Sequence, residues 1–260
     1  ATIAEAEMLG MVNAEDVLLA YQPVGPKVIR LLELVQKYPQ TSFSCLTDNV
    51  DAAKAISAIF AAQGRRLPVY LDLNVGMNRT GVKPGKAALE LYLYLHTLPG
   101  VQPVGLHAYD GHIHDTDMAT RKYHCDAGYA PVALLAQQIA ENGLPQPVIV
   151  AGGTPTFPIH SKRKDIQCSP GTFVFWDWGY AKNLPEQAFE WAALVISRVI
   201  SVIDEQHSCL DLGHKSVAAE NPQPRVHFLN APAAQPVSQS EEHLVLKVPD
   251  SNAYPVGTVF

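Results

Sequence analysis

The chain has no apolar run approaching the roughly 20 residues that a membrane-crossing helix needs, and its first residues lack the charged-then-apolar order of a secretory leader. A cytoplasmic protein that enters no membrane is expected. Cysteine is sparse: Cys45, Cys125, Cys168 and Cys209 lie far apart and form no Cys-x-x-Cys pair. That spacing excludes a disulfide framework and a cysteine zinc centre, and predicts reduced thiols in the core. Basic residues are not in surplus either. The formal charge is -6, the pI is near 5.9, and Lys and Arg are scattered, which excludes a nucleic-acid partner and favours a small molecule. No internal repeat or low-complexity tract is present.

The composition that remains is globular: 260 residues, 47% hydrophobic and 17% charged, enough for one large barrel or for two packed domains. Thr2 and Glu5 have capping-box spacing, and Ile3, Ala6 and Leu9 supply an apolar face, so a helix is predicted at the start. Strands and longer amphipathic segments then alternate. Strands are predicted at 16–21, 41–46, from 69 onward, and at 104–108, 147–151 and 166–168; helices are predicted at 26–37, 49–63, 86–97 and 119–142. Strand and helix repeated in this way mean a parallel sheet.

Six such strands precede a change of pattern at Pro185, whereas a closed (β/α) barrel has eight. The expected fold is therefore α/β: a (β/α)8 TIM-type barrel, its first strands missing, over residues 1–185, followed by a β-rich C-terminal domain over 186–260. In the second part, strands are predicted at 191–202, 208–212, 225–229 and 243–248, separated by Pro- and Asn-rich turns. A last strand at 256–260 ends without a closing turn, so the chain is expected to be cut short at both ends.

The stretch Val69 to Val82 is the most informative. Val69, Leu71, Leu73 and Val75 alternate with Tyr70, Asp72 and Asn74, and Gly76 breaks the pattern. Asn78, Arg79 and Thr80 therefore fall on a loop at the end of a buried strand, where α/β proteins keep their chemistry. Alone, Asn-Arg-Thr-Gly would be a capped turn with a solvated arginine; other loops decide. The strand at 104–108 runs into His107-Ala-Tyr109-Asp110-Gly111-His112-Ile-His114-Asp115, three histidines with a tyrosine and two carboxylates. Histidine suits acid and base work near neutral pH, and a His-x-His pair can bind zinc. No further ligand is identifiable there, so a polar site ranks above a metal site.

Ala151-Gly-Gly-Thr154-Pro-Thr156 and Ser169-Pro-Gly171-Thr172 follow the next two strands. Glycine lets exposed backbone N–H groups approach a phosphate, threonine adds donors, and barrels favour phosphate at their last two loops. Two such loops in succession raise a phosphorylated ligand above an ordinary turn. Lys215, in Asp211-Leu-Gly-His-Lys215-Ser, reads as a solvated lysine. His207-Ser-Cys209 reads as a half-buried pair on an edge strand, ahead of a metal-binding pair.

In order and spacing these segments resemble the fold-type III pyridoxal-phosphate enzymes, and within them the D-threonine aldolase and D-serine dehydratase family, whose barrel is of the alanine racemase N-terminal type. The likeness runs over nearly the whole chain. It is carried by Ala1-Thr-Ile-Ala-Glu-Ala-Glu7, Tyr21-Gln-Pro-Val-Gly-Pro26, Asp72-Leu-Asn-Val-Gly-Met-Asn-Arg-Thr-Gly81, Gly105-Leu-His-Ala-Tyr-Asp-Gly111, Gly152-Gly-Thr154, Ser169-Pro-Gly-Thr172, Asp211-Leu-Gly-His-Lys-Ser216 and Ser240-Glu-Glu-His243. The resemblance implies a pyridoxal-phosphate barrel joined to a β domain. It implies Arg79 at the phenolic oxygen of the cofactor ring, Tyr109 against the cofactor, Gln22 on the pocket wall, and Thr154, Gly171 and Thr172 on the phosphate. His112 and His114 fall where the family keeps a substrate-side base, which makes them the implied catalytic residues.

Two family features have no counterpart. The lysine that bonds to the cofactor belongs to a Pro-His-x-Lys-type segment on the first barrel strand, which this sequence does not contain. The family's metal pair, His-x-Cys or His-x-Asp, lies beyond a segment similar to Tyr254 to Phe260, so a divalent zinc or manganese would have its ligands outside this chain. The implied reaction is metal-assisted retro-aldol cleavage of D-threonine, or a related D-3-hydroxy amino acid, to glycine and an aldehyde by a homodimeric lyase. D-Serine dehydration, racemisation, and cofactor binding without turnover are the alternatives. Without its lysine, the chain alone is expected to be inactive.

Overall fold

A computed structural model describes residues 2–260; Ala1, the first residue of one motif above, lies outside the described residues. The chain divides into two compact units, residues 1–171 and 172–260.

In the first unit, helix α1 (Ile3–Met11) starts on the capping box. The Glu5 N–H donates to the Thr2 hydroxyl at 3.3 Å, and the Thr2 N–H donates to the Glu5 carboxylate at 2.5 Å. Then come β1 (Asp16–Leu19), α2 (Pro26–Lys37), β2 (Ser42–Thr47), α3 (Val50–Ala61), β3 (Leu67–Asp72) and α4 (Lys86–Leu95). They are followed by β4 (Val101–Ala108), α5 (Met118–Glu141), β5 (Val148–Ala151), the one-turn α6 (Phe157–His160) and β6 (Ile166–Cys168). The strands form one parallel sheet in the order β1-β2-β3-β4-β5-β6, with Cys45 opposite Val69 and Leu71 opposite Leu106. β1 and β6 do not pair with each other, so the sheet is an open part-barrel.

Crossover helices account for the near-continuous apolar strands, because a parallel sheet covered by helices is buried. In β3, Leu67, Val69 and Leu71 are fully buried, and the stripes Val28 and Leu31 of α2 and Ile56 and Phe60 of α3 share their core. Parallel registration also brings every strand's carboxyl end to one rim, where the polar loops lie.

The second unit opens with a 3-10 turn (Thr172–Val174) and α7 (Trp178–Asn183). An antiparallel sheet follows, made of β7 (Val199–Asp204), β8 (His207–Leu210), β9 (Gln235–Gln239) and β10 (Leu244–Lys247) in the order β7-β8-β10-β9. Its core contains Val199, Leu210, Phe228, Leu244 and Leu246.

The compact units divide after Gly171, ahead of the change of pattern at Pro185. Some expectations need correction. Segments 191–198 and 225–229 are apolar yet form no strand; in the first, Leu194, Val195 and Ile196 stay 57–74% exposed. β9 has the composition Gln-Pro-Val-Ser-Gln, too polar to announce itself. Residues 256–260 form no named strand, although Ser197 and Phe260 exchange both backbone hydrogen bonds, at 2.9 and 3.0 Å. β8 is an inner strand, which overturns the edge reading of His207 and Cys209. The His207 ring pairs with Asp204, Nδ1 to Oδ1, at 2.8 Å.

All four cysteines are free thiols, with Cys45, Cys125 and Cys209 buried. Among the described residues no helix is long and apolar enough to cross a membrane.

Candidate active site

At the carboxyl ends of β1 to β4 lies a cavity of about 290 Å³ whose wall includes Tyr21, Gln22, Asp72, Arg79, His107 and Tyr109. Asp72, the last residue of β3, organises it. Its side chain is buried, and its Oδ2 accepts from Gln22 Nε2 at 2.8 Å and from Thr80 Oγ1 at 2.7 Å. Its Oδ1 lies 2.7 Å from His107 Nδ1, on the residue directly opposite in the β3–β4 register. Gln22 Nε2 also donates to Asp48 Oδ2 at 3.2 Å, and the Gly81 N–H donates to that same oxygen at 3.1 Å. The loop after β3 is thereby tied to the ends of β1, β2 and β4.

Burial alone would raise the Asp72 pKa. Hydrogen bonds from His107, Thr80 and Gln22, with the attraction of His107, outweigh it and hold the carboxyl below the usual carboxylate range. An ionised carboxylate only accepts, so His107 Nδ1 is the donor of this pair.

Arg79 and Tyr109 line the same cavity. The guanidinium lies over the Tyr109 ring, 5.0 Å from its centre, a cation–π arrangement. Two glycines make room for the ring. A Cβ on Gly111 would lie 2.3 Å from the Tyr109 hydroxyl oxygen, and one on Gly153 would lie 3.0 Å from Cε2. No other residue type fits at Gly111 without moving the tyrosine.

The remaining candidates lie elsewhere. His112 and His114 line a separate, more open hollow of about 590 Å³, shared with Asp115 and His124. There His124 Nδ1 lies 2.9 Å from Asp115 Oδ2, and this hydrogen bond holds the Asp115 carboxyl below its usual value. Thr154 is buried in the turn after β5, and Gly171 is exposed with open space around it. Thr172 begins the 3-10 turn of the second unit. The anion nest read into the Gly152–Gly153 turn needs correction. The Gly152 N–H donates to the Ala108 carbonyl at 3.0 Å and the Gly153 N–H to Thr156 Oγ1 at 3.1 Å, so both are spent within the fold.

Asp110, Cys125 and His160 also come together, buried, with their donor atoms within 4.8 Å of one another. Their surroundings oppose a metal. Arg163 Nε donates to His160 Nδ1 at 3.3 Å, whereas a ligating Nε2 requires a proton on Nδ1. Burial pushes the Cys125 thiol up to about 11.

Residues 1–177 match the family model of the alanine racemase N-terminal domain. The chain belongs to that family. Residues 192–260 match a second model, the putative serine dehydratase domain. Among curated proteins the chain is 27% identical to a D-threonine aldolase of an Arthrobacter species, over 99% of this chain and 68% of the relative. It is 24% identical to a 3-hydroxy-D-aspartate aldolase of Paracoccus denitrificans, over 95% of this chain and 66% of that one. The chain thus spans about two thirds of the length of these relatives, which are lyases.

Of solved structures, D-threonine aldolase from Filomicrobium marinum superposes with a TM-score of 0.91 at 26% identity, over 99% of this chain and 70% of that one. The D-threo-3-hydroxyaspartate dehydratase from Delftia superposes at 0.87 with 22% identity, over 99% and 74%, and speaks for the fold. The part-barrel followed by an antiparallel β unit is thus the architecture of this alanine racemase-like family.

Asp72 and His107 stand inside the motifs read from the sequence, yet no role attaches to them there. The available signal was positional: each is a polar residue at the end of an otherwise apolar strand.

Proposed function

We propose that this chain carries the ligand pocket of a pyridoxal-phosphate-dependent lyase that cleaves D-threonine or a related D-3-hydroxy amino acid to glycine and an aldehyde. The observation that carries the reading is the cavity at the ends of β1 to β4, lined both by Arg79 over Tyr109 and by the Asp72–His107 pair. The names of the related aldolases support the choice of reaction.

The residues present fit the ring end of the cofactor. Arg79 offers a permanent positive charge to a phenolic oxygen, Tyr109 and His107 offer flat faces, and Gln22 offers a polar group whose Nε2 is held by Asp48 and Asp72. Thr154 and Gly171 are assigned to the phosphate. No lysine is among the residues lining the cavity, so this set holds the cofactor without bonding to it. When bound, pyridoxal phosphate supplies an electron sink for the bond broken beside the amino group. The Asp72 carboxylate keeps His107 in one tautomer, and Arg79 would hold the ring by its charge. The substrate-side base is assigned to His112 or His114, although both line the separate hollow rather than the cavity wall and the Nδ1 of His112 is buried, without a hydrogen bond among the described residues. Dehydration of a D-3-hydroxy amino acid is the second reading, favoured by the match of residues 192–260 to the putative serine dehydratase domain.

Fluorescence titration of the 260-residue chain tests both halves of the proposal. Pyridoxal phosphate is expected to bind saturably, and Arg79→Ala to weaken it about tenfold, the loss of one charge-assisted contact. Equal binding by wild type and Arg79→Ala would overturn the cofactor assignment. N-phosphopyridoxyl-D-threonine is expected to bind at least about tenfold tighter than the L-threonine adduct. Equal affinities would overturn the assignment to D-amino acids.

A further inference from the structure

We propose that a relay, Arg163–His160–Asp110–Thr156, buried from His160 onward, sets the position of Tyr109 in the cavity, with Asp110 as the positioning residue. The inference rests on the reading that Tyr109 contacts the bound ligand. Asp110 follows Tyr109 directly in the chain and is buried. Burying a carboxylate is costly unless its oxygens are met. Both are: Thr156 Oγ1 donates to Oδ1 at 2.7 Å, and His160 Nε2 lies 3.0 Å from Oδ2.

The rest of the relay fixes the direction of those bonds. Arg163 Nε donates to His160 Nδ1 at 3.3 Å, so Nδ1 carries the lone pair and Nε2 the proton that points to Asp110. Arg163 is itself held from α5. Its Nη2 donates to Asp126 Oδ1 at 2.7 Å, and its guanidinium lies 4.3 Å from the centre of the Tyr129 ring.

At the other end, Thr156 Oγ1 accepts from the Gly153 N–H at 3.1 Å while donating to Asp110. Gly153 is one of the two residues whose absent Cβ leaves room for the Tyr109 ring. Tyr109 is therefore located twice through one hydroxyl: along its backbone by Asp110, and against its ring by Gly153. A buried hydrogen-bonded group of this kind with both ends closed specifies one arrangement.

The test is a double-mutant cycle read by pyridoxal-phosphate titration, with thermal melts alongside. Thr156→Val is expected to weaken binding about tenfold, Thr156→Ser to stay within about twofold of wild type, and Thr156→Val to cost nothing more in a Tyr109→Ala background. If Thr156→Val leaves binding unchanged, or costs as much without Tyr109 as with it, the relay does not act through Tyr109 and the proposal is overturned, with the cofactor reading intact. If Tyr109→Ala alone leaves binding unchanged, Tyr109 has no ligand contact to position, and the proposal and that contact fall together. Should Thr156→Val not fold, Asp110→Asn in the same two backgrounds gives the same decision.

Discussion

At the residue scale, Asp72 concentrates the chemistry of the cavity, because one buried carboxylate at the end of β3 joins groups from the ends of two other strands and from the loop that carries Arg79. Its folded pKa lies below its unfolded value. The stability it contributes is therefore present above the ordinary carboxylate range and is lost as the pH falls through the depressed folded value. Asp72→Asn removes that contribution and leaves His107, Thr80 and Gln22 with a weaker acceptor. Urea unfolding at pH 7 should show Asp72→Asn less stable by roughly 1–3 kcal/mol, the cost of disrupting buried hydrogen bonds to a charged group. The gap to wild type should shrink on acidification below about pH 4, where the native carboxylate begins to protonate too. A gap that widened with acid would refute the depressed pKa. The same residue shows what sequence conceals. His107 reads there as one of three histidines at the end of the predicted strand 104–108, but its partnership with Asp72 comes from strand register, which no linear spacing displays.

At the element scale, legibility follows burial. The helix Pro26–Lys37 and the strand Ile166–Cys168 are readable to the residue, and, α6 apart, the other strands and helices of the first unit to within a few; most of them are covered and carry apolar residues at periods of 3.6 and 2, whereas Ile166–Cys168 is only partly buried. Helices α6 and α7 span only four and six residues, too few for a period to show. Segments 191–198 and 225–229 mislead for the opposite reason, apolar composition without a paired backbone. Helix α5 lies between these cases. Pro131 in its interior removes a backbone hydrogen bond and would ordinarily end a helix. The helix persists because Val132, Leu135, Ala136 and Ile139 bury beyond the proline and Cys125 before it. Its start is fixed by Asp117, whose carboxylate accepts from both the N–H and the hydroxyl of Thr120 at 2.7 Å. Asp117→Ala should cost about 1 kcal/mol, seen as a lower urea midpoint at unchanged slope. An unchanged midpoint would mean that tertiary packing alone holds the helix.

At the scale of the whole molecule, the cores of residues 1–171 and 172–260 share no buried residue. Two cores mean two cooperative transitions in calorimetry, and the heat-capacity step scales with residues unfolded, so the first unit's step should be roughly twice the second's. Ligand linkage then locates the pocket. The cavity wall with Gln22, Arg79 and Tyr109 belongs wholly to residues 1–171, so pyridoxal phosphate at a hundred times its Kd should stabilise that unit by about 2.7 kcal/mol. For a unit of this size that is roughly 5–10 °C in Tm. The larger transition should rise while the smaller stays in place, and Arg79→Ala should abolish the rise. If the smaller transition moved with it, the ligand could not be assigned to the first unit alone. If neither moved, the cavity would not be its site.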